Sequence, residues 1–332
     1  MNNAGKTKIV DGAKNGEVAH VEVSIRGKWI RIPAVDVSGE RLAIRGKWFK
    51  VAQVNDEWWL ESELEEPEKC VQILKAQESH SLQADIFTFT QKLPGSTPKY
   101  HYPMEWESVA AARTDSFKKW WEDLPQETRK NVRRSQKRGV VVIVRNLDDD
   151  LIRGIAGVNN ESPMRQGAPN DHYGKTFQQV KRDHSSFLDH SDFICAYHAE
   201  EMIGFVKLVY KGEVAAILNL AVKSSHNDKR PANALIAKAV ELCEARGASF
   251  LTYGLFNYGN KRDNPLREFK TRNGFEEILT PRYYVPLTNW GAICIKLKLH
   301  RGLLGLLPHR MIAILVYVRS RWYNLIQSYK PV

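Results

Sequence analysis

The residues best suited to chemistry lie in a polar turn that contains His226, Lys229 and Arg230. The turn separates an apolar segment, 214–222, which is typical of a buried strand, from an amphipathic segment, 231–246, which is typical of a helix. A chain that enters a helix presents backbone N–H groups, and the helix dipole adds positive charge at that end. We therefore predict a site for a phosphate, a carboxylate or a developing oxyanion at this turn.

A second group of reactive side chains lies in the polar loop 159–175. Glu161 offers a carboxylate within this loop, and its neighbours offer a guanidinium, an amide and an imidazole. Such a loop can recognise a polar acceptor and supply a base, although a network that merely caps a long loop is the alternative. The predicted substrate-binding residues of the loop are Arg165, Gln166, His172, Tyr173 and Lys175.

A basic segment follows Pro125. Its six cations stand at positions 129, 130, 133, 134, 137 and 138. At 3.6 residues per turn they gather on one half of a helix, with Val132 and Ser135 on the other side, and Gly139 ends the helix. Because this face has almost no acidic partners, we favour an anion-binding role over an ordinary solvated surface.

Composition sets the limits of these sites. The 332 residues are 43% hydrophobic, enough for a large core and two domains, and the formal net charge of +11 favours anionic partners. The four cysteines form no CxxC pair, so we expect buried thiols, a reducing cytoplasm and no metal site. Neither an apolar signal-peptide segment nor an apolar run long enough to span a membrane is present in the sequence.

The N-terminal third predicts a small β module. Residues 1–19 are polar, and we expect them to be disordered. Residues 25–32 resemble residues 44–51, and each copy places a glycine turn before an alternating segment, which indicates β-hairpins. This module, 20–95, contains Trp29, Trp48, Trp58 and Trp59, which we expect to form its core rather than a binding surface.

The rest of the chain predicts a regular order of elements. A strand at 140–146, helices near 148–158 and 175–188, and strands at 193–199, 202–210 and 214–222 come first. A helix at 231–246, a strand at 249–254, a short helix at 264–272 and strands at 281–286 and 292–299 follow. This order resembles the GNAT acyltransferase fold.

Two segments strengthen the resemblance. Phe269-Lys-Thr-Arg-Asn-Gly-Phe275 is similar to the ending of GNAT domains and to the "FK" segment of FemAB-like enzymes, which move aminoacyl groups from tRNA. Residues 124–139 are similar to a basic helix of the same FemAB-like enzymes. The likeness covers roughly residues 100–300. It implies an α+β fold, a GNAT-like mixed sheet flanked by helices, with the acyltransferase domain at 96–300.

The resemblance also implies a donor site at 228–234, where GNAT enzymes hold the pyrophosphate of acetyl-CoA or another acyl-CoA. This loop has no glycine, and Pro231 removes one N–H donor, although Ala232 and Ala234 are small. A FemAB-like enzyme with aminoacyl-tRNA as donor would not need that loop. The residues assigned to the donor are Val222, Lys223, Lys229, Arg230, Ala232, Asn233 and Ala234, with Tyr258 in the wall of the donor channel.

Acyl transfer needs a base and a donor for the oxyanion. We expect His226 or Glu161 to accept the proton, and backbone N–H groups around 221–223 to polarise the carbonyl. By the resemblance, Tyr283 or its neighbour Tyr284 stands where a leaving-group acid is often found, although a core role is an equal alternative. In FemAB-like enzymes the corresponding lysine helps to bind or stabilise the reacting substrate, so the resemblance implies this role for Lys270; a lysine that projects from a short helix into solvent is the alternative.

The C-terminal segment 301–332 has a different character. Its apolar stretch 311–318 is flanked by cations, and Trp322 and Tyr323 follow. One interpretation is an amphipathic helix on a membrane surface, formed by residues 301–323; a helix packed on the protein or on a partner is the favoured alternative. The membrane interpretation would suit a lipid-linked acceptor at the inner face.

The sequence therefore predicts a cytoplasmic acyltransferase that acts on an amine or hydroxyl of a polar acceptor, such as an envelope precursor. Acyl-CoA is the favoured donor because CoA-dependent GNAT enzymes are the more numerous, and aminoacyl-tRNA is the alternative. A hypothesis of another class is a non-catalytic nucleic-acid-binding protein with a degenerate GNAT-like fold.

Overall fold

The computed structural model describes residues 19–25, 28–55, 63–165, 168–257 and 265–302. The described residues form two compact units, the first from those within 19–108 and 278–302 and the second from those within 109–277. The division falls at residue 108, whereas the sequence suggested residue 95, and residues 278–302 belong to the first unit. Of the disordered tail expected at 1–19 and the C-terminal segment expected at 301–332, residues 1–18 and 303–332 lie outside the described residues, as do Trp58 and Trp59.

The first unit is a sheet with one crossover helix. Strands β1 to β4 pair in chain order as antiparallel neighbours, α1 follows, and β5 then pairs parallel with β4. The last part of β14 pairs antiparallel with β5. The elements are β1 (His20–Ile25), β2 (Lys28–Val37), β3 (Glu40–Arg45), β4 (Val51–Val54), α1 (Pro67–Lys75), β5 (Ile86–Thr90), the first part of β6 (Met104–Arg113), the last part of β14 (Glu276–Pro286), and α8 (Asn289–Lys296).

Two expectations for this unit are wrong. The alternating residues 292–299 do not form a strand, because Thr288 accepts a hydrogen bond from the N–H of Gly291 over 3.0 Å and caps the helix α8. Trp48 is not a core residue, since its side chain is 94% exposed in the turn between β3 and β4. Trp29, its counterpart in the sequence repeat, lies half-buried in β2. The repeat is therefore one of sequence and not of structure.

The second unit is a six-stranded sheet with helices, and it confirms the predicted fold class. Its strand order is β6, β13, β12, β11, β10 and β7, and only the β12–β13 pair is parallel. The elements are the last part of β6, α2 (Phe117–Asp123), α3 (Gln126–Lys137), β7 (Val141–Arg145), α4 (Asp149–Asn159), β8 (Met164–Arg165), β9 (Ala168–Pro169), α5 (Phe177–His184), β10 (Ser191–His198), β11 (Glu201–Lys211), β12 (Val214–Val222), α6 (Pro231–Ala245), β13 (Phe250–Leu255), and α7 (Pro265–Arg272), with β8 and β9 forming a separate two-stranded pair.

Buried apolar side chains explain why these segments form strands. Ile203, Val206 and Leu208 of β11 pack against one face of α6, and Phe205 packs with Ile155 of α4 in a separate cluster. A strand that is buried on both faces reads as a continuous apolar run, as β11 does. All four cysteines are buried and free, as expected. Among the described helices, none is long and apolar enough to cross a bilayer.

Candidate functional site

The second unit opens between its two parallel strands. The pairing of β12 with β13 ends at Ala216 and Thr252, although β12 continues to Val222. The register of β12 against β11 also shifts near Leu218, which marks a bulge. Residues 218–220 are half-buried. The edge of β12 that faces β13 therefore has no strand partner beyond Ala216 among the described residues, and its backbone groups are available to a ligand.

The predicted anion turn directly follows this open edge. Residues Ser224–Lys229 form a short 3₁₀ helix, Arg230 adopts a left-handed conformation with φ 57°, and α6 then begins at Pro231. Proline suits a first helical position, because the N–H that it lacks would have no partner within the helix. The turn thus holds two successive helix N-termini, of which the first carries the site.

The anion at the first N-terminus is the chain's own carboxylate. Glu161, in the loop after α4, accepts hydrogen bonds from the backbone N–H groups of Ser224 over 2.6 Å and Ser225 over 2.9 Å. The hydroxyl of Ser225 also donates to Glu161 over 2.8 Å. Partial burial would raise the pKa of Glu161, but these hydrogen bonds outweigh it and hold the pKa below its usual value. A carboxylate held in this way orients its neighbours and is a poor base.

Ser225 connects this carboxylate to His226. Its oxygen lies 3.1 Å from Nδ1 of His226. Because the one hydroxyl proton goes to Glu161, the serine oxygen is free to accept from Nδ1–H; in the tautomer that donates this bond, Nε2 is the acceptor. Nε2 lies 3.7 Å from Glu201, which also binds Lys223 over 2.5 Å. The two predicted bases, Glu161 and His226, are thus brought together, with different roles.

The residues predicted to polarise a carbonyl are only partly free to do so. The N–H of Lys223 donates to the carbonyl of Ile203 over 2.8 Å, so it continues the sheet and does not face a ligand. Val222 is half-buried against the core of α6. The N–H groups on the open edge of β12 are better candidates for binding an oxyanion, because no strand of the described residues pairs with that edge beyond Ala216.

The predicted donor residues of α6 border a cavity. The cavity has a volume of about 370 Å³ and lies between α3, the start of α6 and α7. Arg230 and Asn233 line it, and Asn233 donates to Asn273 over 2.9 Å. Lys229 is not among the residues that line the cavity, and its ammonium group pairs with Asp228. Ala232 and Ala234 lie half-buried in the first turn of α6. The lining is mixed: Phe269 and two prolines are apolar, and the other lining residues are polar or charged.

The basic helix has the predicted orientation. Ser135 is fully buried and Val132 packs against the core, whereas Lys130, Arg133 and Lys137 are exposed. Arg138 just beyond the helix donates to the carboxylate of Asp228 over 2.9 Å and ties this face to the 3₁₀ turn. Lys130 and Lys137 have no ion-pair or hydrogen-bond partner in the described part of the chain, so their charges are free to bind phosphate.

Lys270 and Tyr283 are both fully buried, so neither meets solvent. In the second unit, Nζ of Lys270 donates to the carbonyls of Tyr253 and Leu255 over 2.6 Å each, at the irregular end of β13. Burial lowers the pKa of Lys270 to about 8. In the first unit, the hydroxyl of Tyr283 donates to Gln91 over 3.1 Å and accepts from the N–H of Lys99 over 2.9 Å. The hydrogen bonds of both residues support the fold. Those of Lys270 hold the end of β13, which borders the opening between β12 and β13.

The loop after α4 is held by its own contacts. Arg165 donates to the carbonyl of Val158 over 2.7 Å, and Lys175 pairs with Asp183. His172 is half-buried, and desolvation lowers its pKa, so its neutral form is favoured. Tyr173 is 47% exposed. Arg165 and Lys175 therefore support the loop, Tyr173 is the member that reaches solvent, and the predicted residues Gln166 and Tyr258 lie outside the described residues.

Sequence reasoning missed Ser225 and Glu201, although both contact His226. A signal for Ser225 was present, since serine immediately before a histidine at a predicted helix start suits a hydrogen-bonded turn. Glu201 lies 25 positions from His226 and belongs to another strand, so only the antiparallel pairing of β11 with β12 brings them together. No group of His, Cys, Asp and Glu residues that could hold a metal occurs among the described residues.

Comparisons with known proteins show which part of the chain is similar to a known family. Residues 164–262 match the family model of the acetyltransferase (GNAT) family. No protein of curated function matches the chain by sequence. The matched range runs from β8 to the loop after β13, so it includes the opening between β12 and β13 and the Ser225–His226 turn. It does not include Glu161.

Solved structures resemble a larger part of the chain. FemX has a TM-score of 0.53 and 10% identity, with 80% of this chain and 87% of FemX covered. L-PGS from Bacillus licheniformis has a TM-score of 0.55 and 12% identity, with coverages of 82% and 89%. The C-terminal domain of a putative lysylphosphatidylglycerol synthetase from Agrobacterium fabrum has a TM-score of 0.52 and 12% identity, with coverages of 81% and 87%. At these identities the likeness concerns the fold.

Proposed function

We propose that this chain, whose residues 164–262 match the acetyltransferase (GNAT) family model, is an acyltransferase that transfers an aminoacyl group from charged tRNA to an amine or hydroxyl of a polar acceptor. The observation that carries this proposal is the opening between β12 and β13, with the His226 network at the end of its free edge. The free backbone groups line the acyl group, and the network supplies a base beside it. No other described cleft combines these two features.

The proposed reaction depends on which atoms of Glu161, Ser225 and His226 carry protons. The acceptor nitrogen or oxygen attacks the carbonyl carbon of the aminoacyl ester, the new bond to the acyl group forms, and the bond from that carbon to the ribose oxygen of tRNA breaks. Nε2 of His226 accepts the proton of the acceptor and returns it to the leaving oxygen. Glu161 and Ser225 are positioning residues, because they hold the ring with Nε2 unprotonated.

Three features favour tRNA as the donor over acyl-CoA. The N–H groups of Ser224 and Ser225, which a phosphate would otherwise bind, are already taken by Glu161. The turn that follows has a proline and no glycine, so the backbone cannot closely approach a pyrophosphate. The free cations Lys130 and Lys137 lie on a helix surface that suits an extended polyanion. FemAB-like enzymes, which the sequence resembles, use this donor.

Acyl-CoA is a second candidate donor, and one observation favours it. The cavity of about 370 Å³ at the start of α6 has the apolar ring of Phe269 and the cations Arg230 and Arg272 in its lining. A cavity of that size suits a small ligand with a flat apolar part and an anionic group. In this case the sulfur of CoA, rather than a ribose oxygen, leaves the acyl carbon.

For the acceptor we propose a lipid or a lipid-linked precursor at the inner membrane face. The support is the putative lysylphosphatidylglycerol synthetase among the similar structures, whose name refers to an aminoacylated lipid. The loop after α4, with the exposed Tyr173, would form the acceptor side of the opening. The C-terminal segment 301–323, almost all of which lies outside the described residues, is proposed to contact the membrane.

The test is a transfer assay with both donors. The purified chain is incubated with a lipid extract and either radiolabelled aminoacyl-tRNA or acyl-CoA, and the labelled products are identified by mass spectrometry. We expect label from tRNA in the lipid fraction, and loss of this activity in His226→Ala but not in the matched variant His190→Ala, which lies in the same unit outside the network. Label from acyl-CoA alone would favour the second candidate.

A further inference from the structure

The turn between β3 and β4 holds a tryptophan in solvent. Gly46 has φ 104°, and a Cβ atom at this position would come within 2.0 Å of the carbonyl oxygen of Phe49. Glycine is therefore required, and it fixes a tight turn that points Trp48 outward, with 94% of its surface exposed. No other large apolar side chain of the described residues is exposed above 58%. A fixed and exposed tryptophan indicates a binding surface.

Trp48 stands beside a cationic cavity of about 360 Å³ in the same unit. Lys47, Lys50 and Lys75 line this cavity, and Asp85 is the one acidic residue among the described lining, so the formal charge is +2 with histidine neutral. Asp85 is committed to the N–H of Lys50 and the hydroxyl of Thr288. Lys47 and Lys75 have no hydrogen-bond or ion-pair partner among the described residues. They are available to an anionic group.

Helix α8 begins at the wall of this cavity and carries an exposed apolar face. Thr288, which caps α8, lines the cavity, and a Cβ atom at Gly291 would approach the carbonyl oxygen of Asp85 to 1.9 Å. Trp290, Ile293 and Leu297 are 47%, 48% and 58% exposed. Their spacing of three and four residues places them on one face. The turn that carries Trp48 and the start of α8 thus lie at the same cavity.

We propose that this surface, formed by Trp48, the exposed face of α8 and the two free lysines, binds a bilayer that contains anionic lipids. Tryptophan is enriched where a protein meets the headgroup region, aliphatic side chains enter the acyl boundary, and lysines attract anionic headgroups. The large apolar side chains complement the acyl boundary of such a bilayer, and the unpaired lysines complement its anionic headgroups. The inference does not depend on the reaction proposed above, because binding requires no turnover.

Co-sedimentation with vesicles tests the proposal. The full chain is mixed with vesicles of phosphatidylcholine alone or with one third phosphatidylglycerol, and its partition coefficient is measured at two salt concentrations. We expect binding to the anionic vesicles that weakens with salt. Trp48→Ala, Ile293→Ser with Leu297→Ser, and Lys47→Glu with Lys75→Glu should each lower the partition coefficient roughly tenfold or more.

Matched variants separate this surface from general effects. Trp106→Ala removes another exposed tryptophan of the same unit, which stands between Glu105 and Glu107, and Lys69→Glu reverses a lysine of α1 that pairs with Glu66. Both should leave binding unchanged, and a melting curve shows that each variant is folded. Absence of binding by the wild type, or binding that none of the surface variants weakens, would overturn the proposal. Self-association through α8 without vesicle binding would also overturn it.

Discussion

The hydroxyl of Ser225 lies 3.1 Å from Nδ1 of His226 while it donates its proton to Glu161 over 2.8 Å. This relationship gives three residues of one network separate tasks. Glu161 accepts hydrogen bonds from the N–H groups at the start of the 3₁₀ helix, and Ser225 links Glu161 to the imidazole of His226. With Nδ1–H bonded to Ser225, the ring presents Nε2 as its acceptor. The loop after α4 and the turn after β12 are thereby joined, so the acceptor side and the donor side of the proposed site are coupled by one carboxylate.

Replacing His226 tests the proposed base. We expect His226→Ala to lower kcat by roughly 10²–10⁴-fold, which is the usual contribution of a general base. Ser225→Ala should lower kcat by a smaller factor, because the base remains but its tautomer is no longer fixed. The measurement is steady-state transfer, and a serine variant as inactive as the histidine variant would assign Ser225 itself to the chemistry.

Replacing Glu161 tests the helix cap. We expect Glu161→Gln to lower the free energy of unfolding by about 1–2 kcal/mol at pH 7, because an anionic cap is lost. The pKa of Glu161 is lower in the folded chain than in the unfolded chain, so its contribution is complete above about pH 5 and disappears as the pH falls through the folded value. Denaturant unfolding of both proteins between pH 3 and 7 checks this. A stability difference that persisted unchanged at pH 3 would contradict the assignment.

Lys270 gives a dependence on pH of the same sign as that of Glu161, but in the alkaline range. We expect Lys270→Met to lower the free energy of unfolding by roughly 1–3 kcal/mol at pH 7, since two buried carbonyls lose their donor. With a folded pKa of about 8, below the ordinary value of a lysine, the unfolded chain binds more protons between pH 8 and about 10.5. Lys270 therefore adds a rise in wild-type stability over this range, which the variant should lack. Parallel curves for the two proteins would show that Lys270 does not titrate there.

Tyr283→Phe separates structure from catalysis. The variant loses the hydrogen bonds with Gln91 and Lys99, so we expect it to be about 1–2 kcal/mol less stable, with kcat unchanged. Thermal melting and the transfer assay are the two measurements. A large fall in kcat at unchanged stability would restore the sequence-based prediction of a leaving-group acid.

The basic helix is tested by the salt dependence of tRNA binding. We expect Lys130→Glu to weaken binding and to reduce the slope of log K against log salt by about 0.7–0.9 for the lost phosphate contact. The matched variant Lys238→Glu, at a lysine of α6 that pairs with Glu241, should keep the wild-type slope. Equal slopes in all three proteins would remove α3 from the tRNA-binding surface.

Local patterns explain which parts of the molecule could be predicted. Residue spacing alone predicts the apolar strands β10 to β12 and the amphipathic helix α6. The fold class could be predicted from these elements. Helix α8 was predicted as a strand because residues 292–299 alternate, and the cap at Thr288 outweighs this alternation. The site depended on distant contacts. Glu161 and Ser225 are 64 positions apart, and no periodicity reveals that one would hold the other.

The burial of single side chains was the other limit. Lys270 and Tyr283 lie in segments whose sequences suit exposed or buried positions equally, and only the packed structure shows that both are enclosed. Trp48 shows the reverse, since tryptophan in a small β module is usually a core residue, yet the glycine turn before it directs the ring outward.

The most direct test of the account is single-turnover transfer from radiolabelled aminoacyl-tRNA to the lipid extract, compared between the wild type and His226→Ala at equal concentrations of folded protein. We expect labelled product with the wild type and a rate reduced at least 100-fold in the variant. Equal rates for the two proteins, or no transfer from either tRNA or acyl-CoA by the wild type, would contradict it.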